Sequence, residues 1–186
     1  MIKETLLEIS QNFNKLSNND REIHDSIQVI IKCLKNGGKI MFCGNGGSAA
    51  DSQHLAAELI GRYRKNRAPL AALALSTDTS TITAIANDFS FDDIFSRQIN
   101  ALCKEGDVLY ATSTSGKSKN ILNAVREAKK NGCKVIGVTG EGGGDLVGKC
   151  DFLIKVPSSR PDRIQEMHIA VGQIICEYIE NYFFKT

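Results

Sequence analysis

The chain has no tryptophan, only three prolines and only three histidines in 186 residues. So few prolines, with no low-complexity stretch and no internal repeat, leave nothing that reads as a linker between domains. No apolar run approaches the ~18 residues of a transmembrane helix. The start, MIKETLLEISQNF, lacks the basic and apolar stretches of an export signal. An excess of charge is also missing: 23 Lys plus Arg face 21 Asp plus Glu, a net charge of +2. That balance argues against a nucleic-acid or membrane-surface partner. None of the six cysteines (Cys33, Cys43, Cys103, Cys133, Cys150, Cys176) forms a CxxC pair. Several sit in apolar runs, so the expectation is buried, reduced thiols in a cytoplasmic protein, with neither a thiolate zinc site nor a disulfide framework. With 42% hydrophobic and 24% charged residues, general disorder is excluded. The whole chain, 1–186, is expected to fold as one domain, burying roughly 70% of its unfolded surface.

Apolar spacing predicts helices over residues 3–16 and Asp20–Lys35, the second stopped by Asn36-Gly37-Gly38. Five short apolar runs follow: Ile40–Cys43, Leu70–Leu75, Val108–Thr112, Val135–Thr139 and Phe152–Val156. Several lack alternation, as in strands buried on both faces. Helical patterns lie between them at Ala49–Tyr63, Ser80–Ala86, Phe91–Leu102, Ser118–Lys130 and Leu146–Gly148. A long helix, Arg160–Phe184, closes the chain. Alternating strands and helices predict an α/β three-layer sandwich on a five-stranded parallel sheet. Ligands of such sheets bind beyond the carboxyl ends of the strands, so the loops after Cys43, Leu75 and Thr112 are the ones to watch.

The first of these loops opens Cys43-Gly44-Asn45-Gly46-Gly47-Ser48-Ala49-Ala50-Asp51. Its glycines admit close approach of a ligand to a helix N-terminus. Gly44, Gly46 and Ala49 match a dinucleotide fingerprint, but the acidic residue that should follow is missing; Asp78 lies too far on. The second, Thr112-Ser113-Thr114-Ser115-Gly116-Lys117-Ser118, offers hydroxyls and N–H groups for a phosphate. Ala111 stands where a P-loop needs glycine, so a monophosphate fits better than a nucleoside triphosphate. His54 and Glu58 share a helix face four residues apart, where imidazole and carboxylate can share a metal or a proton. Gln165 and His168 interrupt an apolar pattern in Arg163-Ile164-Gln165-Glu166-Met167-His168.

Together, CGNGGSAAD, QHLAAEL with GRY, AIANDFSFDDIFSRQ, STSGKS and RIQEMH resemble a sugar isomerase (SIS) domain, and more narrowly the bacterial phosphoheptose isomerases. The resemblance covers nearly the whole chain. It implies a cytoplasmic homotetramer converting sedoheptulose 7-phosphate into D-glycero-D-manno-heptose 7-phosphate, for lipopolysaccharide core or capsule, with a zinc ion in each site. The first two helices and the last would pack in the oligomer, and the sites would lie between subunits. By the same resemblance the phosphate loop falls on Ser113, Thr114, Ser115 and Ser118. Sugar contacts fall on Asn45, Gly46, Gly47, Ser48, Asn87, Asp88 and Asp162, with Glu58 and Gln165 beside the substrate. Metal ligands fall on His54, Glu58 and Gln165, and Glu58 is also the proton-transferring carboxylate.

One position departs from the family pattern. Eight residues after Gln165 the family carries a histidine, both metal ligand and second acid-base group; here it is Gln173. Eight helical residues turn about 80° past two full turns, so Gln165 and Gln173 reach one cleft. An amide does not titrate near neutral pH and is a poorer zinc ligand than imidazole. Losing an acid-base group costs about 10²–10⁴ in rate, or roughly 3–5 kcal/mol of barrier. Three explanations stand open: a substitution engineered to trap substrate, a natural isomerase using another proton carrier such as His168, or a noncatalytic relative. The last would be a scaffold that binds a sugar phosphate or a replication initiator.

Overall fold

The computed structural model describes residues 1–184; the last two of the expected 1–186 span lie outside the described residues. Its five strands are β1 Ile40–Cys43, β2 Ala72–Ala74, β3 Val108–Thr112, β4 Lys134–Gly140 and β5 Phe152–Val156. All pair in parallel, in the order β2-β1-β3-β4-β5. The helices are α1 Ile2–Leu16, α2 Asp20–Lys35, α3 Gly47–Ile60, α4 Thr79–Asp88, α5 Ser96–Leu102, α6 Lys119–Lys130 and α7 Pro161–Phe183. This is the α/β sandwich expected from the sequence.

Strand period two explains the layers. Ile40, Phe42, Val108, Tyr110, Ile136, Val138, Ile154 and Val156 point to one face, where Ile27, Ile30, Leu55, Leu59, Met167 and Val171 from α2, α3 and α7 cover them. Met41, Cys43, Leu109, Ala111 and Val135 point to the other, under Ile85, Ile99, Ile121 and Ala124 from α4, α5 and α6. Both faces are therefore buried, and the central strands carry no polar alternation.

Three expectations change. The helix predicted over Phe91–Leu102 is broken into a 3-10 turn, Phe91–Asp93, and α5. Side chains take the carbonyls that a continuous helix needs: Asn123 donates to the Asp92 carbonyl at 2.9 Å and Gln98 to that of Ile94 at 2.7 Å. The residues near Leu146 form a 3-10 turn at Gly144–Leu146. The third change concerns the thiols. Cys103, just past α5, and Cys133, just before β4, are joined in a disulfide, whereas Cys33, Cys43, Cys150 and Cys176 are free. The expectation of reduced thiols fails for that pair. Thirty residues of sequence separate them, and the packing of α5 on α6 brings the ends of the two helices together. Among the described residues, no helix is long and apolar enough to cross a membrane.

Candidate active site

The chain order reverses between β1 and β3, and the two glycine-containing loops leave the sheet side by side there. After β1, Gly44 allows the turn into α3, since a Cβ there would strike the Ser48 backbone. Gly46 takes a φ of +56°, a left-handed conformation that suits glycine. Gly46 and Gly47 are exposed at the start of α3, while Ser48 is buried. Gln165 reaches over from α7 to this loop: a Cβ on Gly47 would lie 3.0 Å from the Gln165 carboxamide.

After β3, the Ser113 and Ser118 hydroxyls meet at 3.1 Å, and Lys117 N–H donates to Ser115 Oγ at 3.2 Å. Gly116 (φ +65°) packs on the loop after β4, where a Cβ would collide with the Gly143 carbonyl. The Asp145 N–H closes the contact by donating to the Gly116 carbonyl at 3.0 Å. Thr114, Ser115 and Lys117 then line an open cleft of about 470 Å³ with Gly140–Gly144, Ser158 and Ile164. The Thr114 and Ser115 hydroxyls and Lys117 offer groups for a phosphate there, while Glu141 and Asp145 on the same lining place two carboxylates opposite them. The dinucleotide reading of the first loop fails, since Asp78 is the N-cap of α4, accepting from Thr81 N–H at 3.0 Å.

Along α3, His54 Nε2 lies 3.1 Å from Glu58 Oε1, as their four-residue spacing requires. Gln173 of α7 reaches the same nitrogen, its Nε2 at 3.2 Å. One nitrogen cannot both donate to Glu58 and accept from Gln173, so the tautomer and the Gln173 amide orientation are coupled. His54 and Glu58 thus lie close enough to share one ion, with the Gln173 carboxamide beside them. His54 and Glu58 are ordinary zinc ligands, whereas Gln173 and Gln165 contribute only amides. Among the described residues no cluster of three or more His, Cys, Asp or Glu exists. The donor set fits a zinc ion with two strong ligands and weak remaining ones.

Asp162, at the start of α7, is held by Arg163 at 3.0 Å and Arg160 at 2.8 Å. Hydrogen bonds from Arg163 and Arg160 hold its carboxyl at about 2, against the lesser effect of burial. Asn87 and Asp88 end α4 on the exposed surface, where Asn87 Nδ2 donates to Asp88 Oδ1 at 2.8 Å. Among the described residues, neither bonds to a predicted site residue outside this pair. His168, considered as an alternative proton carrier, does not face the cleft. It is 2% exposed, and neither ring nitrogen makes a hydrogen bond of good geometry. Burial pushes it down to about 4, the Thr139 backbone only partly opposing.

Two features escaped sequence reasoning. Asn120 of α6 is buried and exchanges two hydrogen bonds with Asn45, at 2.9 and 2.8 Å. Arg67 and Glu180 form an ion pair at 3.0 Å with both side chains 2% exposed. Glu180 also accepts from the N–H groups of Tyr63, Arg64 and Lys65, and Arg67 donates to the carbonyls of Glu58 and Leu59. No local motif marks either; a polar residue in an amphipathic helix carries no sign of burial until its partner, over 70 residues away, is in place.

The chain is similar to several known proteins over nearly its whole length. A family model described as "SIS domain" matches residues 6–140. A phosphoheptose isomerase from Nitratiruptor sp. is 52% identical over 183 residues, covering 98% of each chain. One from Akkermansia muciniphila is 47% identical over 98% of this chain and 97% of its own. Among solved structures, the phosphoheptose isomerase of Neisseria gonorrhoeae superposes with a TM-score of 0.92 at 41% identity, over 97% of both chains. That of Francisella tularensis gives 0.94 at 37%, over 97% of this chain and 96% of its own. The chain belongs to the SIS domain family and, within it, to the phosphoheptose isomerases.

Proposed function

We propose that the chain is an aldose-ketose isomerase converting sedoheptulose 7-phosphate into D-glycero-D-manno-heptose 7-phosphate, for lipopolysaccharide core or capsule heptose. The observation that carries the reading is the His54–Glu58 pair at 3.1 Å, on the helix opened by one loop and beside a second loop built for a phosphate. Ser113, Thr114, Ser115 and Ser118 would anchor the phosphate, which takes no part in the chemistry but keeps the sugar in register. The Gly46 and Gly47 N–H groups, Ser48, Asn45, Gln165 and Asp162 surround the reacting end.

The reaction moves one hydrogen from C1 to C2 and another from O1 to O2. The Glu58 carboxylate takes the C1 proton, the C–H electrons form the C1=C2 bond of an enediol, and Glu58 returns the proton to C2. His54, on the same carboxylate, fixes its direction. The oxygen protons need a second carrier, and the Gln173 amide cannot be one. Zinc held by His54 and Glu58, with the amide oxygens of Gln173 and Gln165 in reach, would supply Lewis-acid polarisation of the carbonyl. The noncatalytic alternative draws on Gln173 alone; the intact His54–Glu58 pair favours the enzyme. Glu58→Gln keeps the shape of the site and removes the base. Turnover is expected to vanish while sugar-phosphate binding persists, and unchanged turnover would overturn the assignment.

A homotetramer belongs to the same reading. It is supported by an apolar groove of about 610 Å³ between α1, α2 and α7, lined by Phe13, Leu16, Ile23, Ile27, Ile174 and Tyr178. Ile2, Leu6 and Leu7 stand exposed on α1 as well. Asn87 and Asp88 would then complete a site shared between subunits. A cytoplasmic location is inherited from the resemblance, and the Cys103–Cys133 disulfide does not support it.

A further inference from the structure

Asn45 and Asn120 lie 75 residues apart, one in the loop after β1 and the other in the first turn of α6. Each carboxamide donates to and accepts from the other, at 2.9 and 2.8 Å, closing a two-bond ring. Asn120 is 2% exposed. Their loops leave adjacent parallel strands, Ile40–Cys43 of β1 running in register with Val108–Ala111 of β3. Beyond Cys43 and Ala111 the β1–β3 ladder ends, and among the described residues this ring ties the two loops through their side chains.

We propose that Asn120 is a positioning residue: paired with Asn45, it fixes the distance between the phosphate-holding loop and the loop that starts α3. The inference rests on the isomerase reading for the identity of the substrate. The chemistry suits a spacer. Two neutral amides pair without a net charge that would compete with the phosphate, and two hydrogen bonds side by side resist sliding as well as separation. Each partner keeps one unused N–H and one lone pair, so Asn45 remains able to touch the sugar while it is held. His54 and Glu58 sit two to three turns along the helix that this loop starts. A phosphate fixed in one loop thus meets a base whose position is fixed by the other.

A ligand spanning both loops depends on this spacing, whereas a ligand confined to one does not. The test is calorimetric titration of Asn120→Ala with sedoheptulose 7-phosphate and, separately, with inorganic phosphate. The sugar phosphate should bind about tenfold more weakly, the scale of one or two net hydrogen bonds, while inorganic phosphate stays within about twofold. Asn45→Ala should cost less in the Asn120→Ala background than in the wild type, where it breaks the ring as well as the sugar contact. Asn120→Leu, of similar shape, serves if the alanine variant fails to fold. Unchanged sugar-phosphate affinity, an equal loss for both ligands, or full additivity with Asn45→Ala would overturn the proposal. Wild-type turnover is followed in the same preparations. No turnover alongside a shifted affinity ratio would overturn the isomerase reading and leave the spacer standing; turnover with an unshifted ratio would do the reverse. A wild type that binds neither ligand would overturn both.

Discussion

Glu58 and Gln173 converge on one ring nitrogen of His54, so the chemistry of the site turns on what each can do with a proton. A carboxylate can carry one and an amide cannot. Gln173→His places a titratable group at the same cluster and a strong ligand in place of a weak one. It is expected to raise isomerisation by about 10²–10⁴ and to raise the zinc content per subunit, read by coupled assay and metal analysis. No change in either would mean that Gln173 is not the limiting group. His168 makes a separate prediction, about stability. Its folded value is about 4, below an unfolded value near 6.5. Between the two, the unfolded chain binds the extra proton, so stability falls as pH drops from 6.5 to 4, by about 3 kcal/mol. Melting curves against pH should lose that slope in His168→Leu.

The elements around the site are held by polar groups as much as by the core. Arg67 donates into the C-terminal carbonyls of α3, at Glu58 and Leu59, and Glu180 of α7 gathers Arg67 and three backbone N–H groups. Burial pushes Glu180 up, but the N–H groups of Arg64, Lys65 and Tyr63 and the Arg67 guanidinium together hold it below the usual carboxylate range. Glu180→Gln leaves a buried guanidinium without its counter-charge and should cost about 3–5 kcal/mol in chemical denaturation. A loss within experimental error would show that the pair is solvated in solution. The elements themselves were legible because period matches burial: β1, β3 and β5 fall where their apolar runs lie. β2, expected over Leu70–Leu75, is only Ala72–Ala74, for it is a half-exposed edge strand. The loops were legible from glycines and hydroxyls at strand ends. Asn120, Glu180 and the break in Phe91–Leu102 were not, because each depends on a bond to a residue distant in sequence.

At the scale of the molecule, the chain leaves its apolar α1–α2–α7 groove open and its Asn87–Asp88 pair apart from the rest of the site. Sedimentation equilibrium should give four times the 20.3 kDa chain mass; a monomer at micromolar concentration would contradict a site shared between subunits. The oligomer, and a role for Asn87 and Asp88 in its site, rest on the family resemblance alone, since a single chain shows both residues as plain surface. The most direct test of the account follows sedoheptulose 7-phosphate by NMR with added zinc, using the wild-type chain, Gln173→His and Glu58→Gln. The account predicts formation of the aldose 7-phosphate by the first, faster by the second, and none by the third. Formation of the aldose by Glu58→Gln, or its absence with both other chains, would contradict it.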